Sequence, residues 1–339
     1  MTYVSPFAAS TSKSGHGSIV ISLLPPDRPV LQELSYQYPL KLVAPDPLPA
    51  PDAHSDDAPS QSKLVHTVFL LTYGGGIVSG DSIHLSIRLE ANSRLVLLTQ
   101  GSTKIFRTLD PGLVSMQHMT AHVVPDAALV YLPDPVQPFA QTAFSQSQIY
   151  NLEEGQGSLC VCDWVTSGRS ARGENWDLYE YKSRNEVWAV SRTSNSPQQR
   201  RLLLRDNLLL DANGQTGMHF SERMDGYSVF GTLILCGPAF SSLSRYFLDE
   251  FQALPRIGAR AWKDHDEPEP STHEKWRAER QEREKRDGVI WSAASVRGFT
   301  LVKFASREVE GSRHWLRDMI KDEGSVEKHF GERALLCLK

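Results

Sequence analysis

Four groups of residues in this 339-residue chain have types and spacings that could do chemistry. The first is the stretch 72–108, which opens on Gly74-Gly75-Gly76 and reaches a lone acid, Asp81, directly after Gly80. Adjacent glycines permit left-handed φ angles and close backbone approach, as a phosphate-cradling turn requires. That chemistry fails on detail. A P-loop needs lysine and then Ser or Thr after its last glycine, whereas Asp81 follows Gly80. A dinucleotide turn needs glycine where Ser79 stands, and a helix where the following pattern is that of a strand. Asp81 therefore reads either as a turn carboxylate bonding its own backbone or as a functional acid. The stretch ends in a basic and polar cluster, Thr99, Gln100, Ser102, Thr103, Lys104 and Arg107. Lys104 and Arg107 suit a partner-binding patch, a lock within the fold, or a counter-charge for Asp81 or Glu174.

The second group is Glu174 beside Arg172 and Gly173, which on its own describes an ordinary ion pair at a strand end. The third is Cys160-Val161-Cys162, whose thiols share one side of a strand. No second cysteine pair or nearby histidine completes a tetrahedral zinc set, so core packing is the expectation. The fourth is the face Met116, His118, Thr120 and His122. Histidines four apart on a strand lie about 13 Å from each other, too far for one metal ion. They are retained only as a minor metal contact. His265, His273 and His314 read as surface residues of charged segments. No G-x-S-x-G elbow and no H-E-x-x-H is present, which leaves an unassigned hydrolase as a remote alternative.

The elements that must carry these groups are mostly strands. Ile83, Leu85, Ile87 and Leu89 alternate with Ser82, His84, Ser86 and Arg88, the period of a strand buried on one face. Ala91-Asn92-Ser93 is turn chemistry, and Arg94–Gln100 reads as the returning strand of a hairpin. Strands are expected at 17–24, 31–38 and 65–71, then at 113–124, 127–132, 144–152 and 158–166. Others follow at 176–184, 187–192, 201–210 and 228–235, with strand-like runs over 289–306. Such spacing predicts a mainly β chain of stacked or sandwiched sheets. Helices gather late: 240–254 has Phe240, Leu243, Phe247 and Phe251 on one face, and 308–321 closes the chain with Trp315, Leu316 and Met319 inward. The segment 268–286, charged on all sides, is expected to be a solvated helix with loose ends. The stretch 44–62, rich in Pro, Asp and Ser, reads as a flexible surface insertion.

Composition narrows the class. With 40% hydrophobic residues the chain can bury a sizeable core, and a net charge of −4 argues against a nucleic-acid binder. Four cysteines in so long a chain do not form a disulfide framework, so a reducing compartment is expected. The first residues lack a secretory signal and the apolar runs are too short for a bilayer, which predicts a soluble cytoplasmic protein.

The motifs also resemble a known family. GGGIVSGD and LLTQGSTKIFRT, with YLPDPVQPFA at 131–140 and DWVTSGRSARGE at 163–174, resemble the UreD (UreH) urease accessory proteins, in the same order along the chain. The resemblance covers roughly 17–302. It implies one elongated β domain over 1–339, β-helix-like in the arrangement of its sheets, with insertions at 44–62 and 264–287. Those insertions are longer than expected of bacterial members and point to a eukaryotic one. The implied role is a non-catalytic maturation factor. It would bind apo-urease and a helical UreF-type partner, which recruits a UreG-type GTPase, and pass nickel to the urease active site. Nickel would be transient cargo, with no permanent cofactor. The acids matched by position are Asp81 and Glu174, with Asp134 a weaker third. Gly74, Gly75, Gly76, Gly80, Thr103, Lys104, Arg107 and Arg169 carry the motifs in a structural or partner role. A passage has a physical logic of its own. Nickel binds imidazole, carboxylate and water, and scattered oxygen groups hold a cation weakly enough to release it. A pure docking scaffold that never touches nickel is the alternative.

Overall fold

A computed structural model describes residues 13–25, 28–51, 64–191, 200–212, 220–255 and 271–339. In chain order, β1 (His16–Leu24), β2 (Arg28–Tyr36), β3 (Leu40–Val43) and β4 (Leu48–Pro49) precede β5 (Leu64–Thr72) and β6 (Gly76–Ile77). Then come β7 (Ser82–Leu89), β8 (Arg94–Leu98), β9 (Thr103–Ile105), β10 (Ser115–Val123), β11 (Ala128–Tyr131) and β12 (Val136–Pro138). They are followed by β13 (Ala143–Glu153), β14 (Ser158–Thr166), β15 (Glu180–Val190), β16 (Arg200–Asp211), α1 (Phe220–Arg223) and β17 (Val229–Cys236). The chain ends with α2 (Ser241–Gln252), α3 (Thr272–Asp287), β18 (Ile290–Val296), β19 (Phe299–Ser306), α4 (Val309–Glu323), α5 (Ser325–Phe330) and a 3-10 run, Glu332–Leu338.

Two sheets take alternate strands. The first has the order β16-β15-β13-β10-β7-β1-β2, and the second β18-β19-β17-β14-β11-β8-β5-β3. From β7 to β15 the long strands switch sheet at each step, so that β7, β10, β13 and β15 stack in parallel in one sheet. β5, β8, β11 and β14 stack in parallel in the other. This is the coiled, β-helix-like layering expected of a mainly β chain with late helices. It corrects one expectation: β7 and β8 are not a hairpin, because the corner at Asn92 (φ 60°) sends the chain into the opposite sheet. Asp126 and Glu154, with φ of 64° and 54°, lie in the next two corners from the first sheet to the second.

The alternation explains the sequence pattern. Ile83, Leu85 and Ile87 face the inter-sheet core, while Ser86 and Arg88 stay exposed. Strands of the second sheet are covered on both sides and read as continuous apolar runs. Leu95 and Leu97 join the inter-sheet core, whereas Val96 and Leu98 pack under the helices with Phe247, Trp315 and Met319. Cys160 and Cys162 belong to that second cluster, both buried and free, in keeping with the packing expected of them.

Further expectations give way. Residues 176–184 and 187–192 are not two strands, since β15 runs unbroken from Glu180 to Val190. Its Ser183 and Asn185 look like turn residues but point inward and are buried. The charged helix is real but solvated on one face only. Among its residues Arg280 and Glu284 are buried, and Glu250 of α2 accepts hydrogen bonds from Arg277 (2.6 Å) and Arg280 (2.9 Å). α4 does not close the chain, as α5 and the 3-10 run follow it. Within the insertion 44–62, Leu48–Pro49 pairs with β5 and Ala50 is buried. Residues 52–62 and 264–270, including His265, lie outside the described residues.

Candidate functional site

Short strands β6, β9 and β12 line up at one end of the second sheet and bring three motifs side by side. Gly76 pairs with Lys104, Lys104 with Gln137, and the Gln137 side chain donates to the Gly168 carbonyl (3.2 Å). Gly76 is extended; what it needs is room, since a Cβ there would sit 2.7 Å from the Lys104 carbonyl and from the Phe106 ring. Phe106 meets Phe139 edge-on at 5.4 Å, and the Arg169 guanidinium lies 3.8 Å over Phe139. Thr103 pairs with Val136, while Lys104 and Arg107 are exposed.

The three acids have separate surroundings. Arg169 grips Glu174 through its side chain and backbone amide, and the side-chain bonds hold the Glu174 carboxyl below its usual range. Asp81 accepts from the Val78 amide (3.2 Å) and gives its own amide to the Val78 carbonyl (2.9 Å), closing the turn after the glycines. Asp134 is buried, accepting from Thr99 (3.1 Å), the Gly101 amide (2.9 Å) and Arg313 of α4 (3.2 Å). The counter-charge of Glu174 is thus Arg169 rather than Lys104 or Arg107. Among the described residues no three His, Cys, Asp or Glu side chains are grouped to hold a metal ion.

One carboxylate escaped the sequence reading. Asp163 of β14 alternates with Val161 and Val165 and so points into the space between the sheets. There Gln146 donates to it (2.9 Å), Asn185 donates to it (2.7 Å), and Ser183 adds its hydroxyl. Burial pushes the Asp163 carboxyl above its ordinary range, against the opposing pull of these three donors. Gln117, Gln146 and Ser183 sit opposite one another on adjacent strands, forming a buried polar row across the first sheet. A cavity of about 200 Å³ reaches Asp163 between the sheets, lined also by Tyr181, Asp206, Thr232, Lys303 and Phe304. At this cavity Lys303 pairs with Asp206 at 2.6 Å. Asp-Trp inside an apolar run gives no periodic signal of an inward acid. Only the turn-like Ser183 and Asn185 hinted that this strand faces something polar.

The histidine face is also richer than its spacing implied. His16, His84 and His118 pair in register on β1, β7 and β10, with rings stacked at 4.4 and 4.9 Å. Burial, then the neighbouring imidazoles, keeps His84 below its usual pKa; burial and Arg184 do the same for His118.

Comparison with known proteins bears on this arrangement. The UreD urease accessory protein family matches residues 14–334. The chain belongs to the UreD family. A "urease accessory protein ureD-like" protein of Schizosaccharomyces pombe is 30% identical over 301 residues, covering 88% of this chain and 91% of the relative. Urease accessory protein 4 of Cryptococcus neoformans is 28% identical over 87% of this chain and 86% of its own length. Urease accessory protein UreD of an Anaeromyxobacter strain is 32% identical over 78% and 75%. UreD relatives therefore occur in fungi and bacteria alike, and they occur in plants as well. Among the described residues of this UreD chain, no helix is long and apolar enough to cross a membrane.

Proposed function

We propose that this chain is a non-catalytic, cytoplasmic maturation factor of urease. It binds apo-urease and a helical UreF-type protein, takes nickel handed over with a UreG-type GTPase, and passes the ion through its own interior. The supporting observation is Asp163: a carboxylate between the sheets, ringed by amides and a hydroxyl and reached by a cavity. Oxygen and amide donors of this kind hold a hydrated borderline cation weakly, whereas a closed thiolate set would retain it. The cysteines are kept out of this chemistry, since burial raises their thiols, Cys236 and Cys337 to about 12. Asp81, Glu174 and Asp134 are the further acids of the proposed route.

The docking-scaffold reading draws on a different observation. Glu174 is held by Arg169 and Asp134 by Arg313, which suits acids that lock the fold rather than greet a cation. Co-expression with the urease subunits and the UreF- and UreG-type proteins separates the two, with assembly, bound nickel and urease activity measured. The expectation is that Asp163→Asn, Asp81→Ala and Glu174→Ala assemble normally but leave urease short of nickel. Normal loading by all three would make this chain a scaffold. The purified chain alone is expected to turn over no ester, amide or nucleotide.

A further inference from the structure

The cavity that reaches Asp163 lies where the first sheet ends at β16, while the second sheet continues to β19 and β18. Asp163, Thr232 and Lys303 stand opposite one another on β14, β17 and β19. At roughly 4.8 Å per strand, Lys303 is rooted about 10 Å from Asp163 on the same face. On the first sheet Asp206 alternates with Leu204, Leu208 and Leu210, all turned to the inter-sheet core. Its partner in register is Asn185, a donor to Asp163. The Lys303 ammonium bridges the two sheets. It donates to the Asp206 carboxylate (2.6 Å) and to the Thr232 hydroxyl (3.3 Å). Tyr181 lines the same cavity, and its buried hydroxyl has no hydrogen-bond partner among the described residues.

Here the positive charge comes from a side chain that can leave. Lys303 is 55% exposed along its side chain and rides on a flexible stem, and half-exposed ion pairs are weak. The oxygens it engages, carboxylate and hydroxyl, are those that hard and borderline divalent cations take. Burial raises the Asp163 carboxyl and the Asp206 charge adds to this, so the two acids sense each other across the cavity. We propose that Asp206, Thr232 and Tyr181, with Asp163 at the inner end, form a divalent-cation site. The Lys303 ammonium occupies it as a tethered competitor, which an entering ion must displace. As the door of the interior route, this site rests on the function proposed above. A passive latch between the sheets would use the same ion pair, but it accounts for neither the cavity beside Asp163 nor the unpartnered Tyr181 hydroxyl.

The test titrates the full chain with Ni²⁺ and, separately, with Mn²⁺, which favours oxygen over the imidazoles of His16, His84 and His118. Lys303→Met removes the charge and keeps an apolar stem. It is expected to tighten Mn²⁺ binding by about fivefold, the worth of a half-exposed ion pair. Lys303→Arg, which restores a cation, should bind as wild type does. Adding Asp206→Asn to Lys303→Met should abolish the gain. Bound Mn²⁺ should broaden the amide signals of Asn185 and Thr232. If Lys303→Met binds neither ion more tightly than wild type, the pair is only a latch and the proposal falls. The route would then stand without it, provided Asp163→Asn still leaves urease short of nickel. If Lys303→Met gains affinity while Asp163→Asn loads urease normally, the cation site stands and the route falls. A gain that survives Asp206→Asn would put the ion elsewhere and overturn the site.

Discussion

Asp163 shows what a single side chain can cost and give. Its three donors are buried, so Asp163→Leu leaves Gln146, Ser183 and Asn185 without this acceptor, at about 1–3 kcal/mol for an unsatisfied buried group. A urea midpoint lowered without a change in slope would check this. Asp163→Asn asks a different question. Because burial raises the native carboxyl's pKa, wild type is favoured at and below the ordinary aspartate pKa, about 3.9. That advantage is lost as pH climbs through the raised native value. The stability of Asp163→Asn relative to wild type should therefore grow with pH across that window, and a flat difference would reject the assignment. None of this was legible in the sequence, where Asp163 stands beside a tryptophan in a buried strand. Asp81 and the glycine turn were legible, because left-handed backbone needs glycine and a turn acid binds its own amides.

At the level of elements, the helix α3 departs most from its composition. Mixed charge on all sides suggested a solvated rod, yet the helix docks through its charges. Glu250 collects His273, Arg277 and Arg280, while Glu284 accepts from the Trp291 and Trp315 indoles. Burial would push the Glu250 carboxyl up, but hydrogen bonds from Arg277 and His273 and the nearby guanidinium charges hold it below its usual range. Its contribution is thus present above the ordinary glutamate pKa and lost as pH falls through the native one. Glu250→Ala takes from Arg280, which is 1% exposed, one of its two carboxylate partners and leaves it Glu284 alone, at 2.9 Å. The expected cost is about 1–3 kcal/mol, that of buried donors left without their acceptor. Hydrogen exchange should quicken across Thr272–Asp287 while the inter-sheet strands keep their protection. Period-two and helical patterns found β7, β10 and α2 because each buries one face. They split β15 because its inward polar residues serve Asp163, which lies far off in the chain.

For the molecule as a whole, the second sheet needs covering on both sides. Trp315, Leu316, Met319, Val326, Phe330 and Leu338 supply one of those covers and are all buried. Ending the chain before Val309 strips it from Val96, Val130 and Trp164. The expectation is a product that elutes as aggregate in size-exclusion chromatography, and a soluble monomer would contradict the role given to α4 and α5. The mainly β class could be read from strand spacing, but the exchange of successive strands between two sheets could not. A corner and a hairpin turn use the same residues, and only distant neighbours decide between them.

The parallel stacks are each ended by reversed strands. In the first sheet β2 and β16 run antiparallel to their neighbours, and in the second β3 and β17 do so. Arg28 and Glu33 lie on one outermost ribbon, and Arg200, Arg201 and Arg205 on another. A coil whose first sheet ends in reversed, charged rungs offers a poor template there for another molecule to continue it. Its growth stops within one chain, which lets a layered β protein exist at cellular concentration without becoming a fibre.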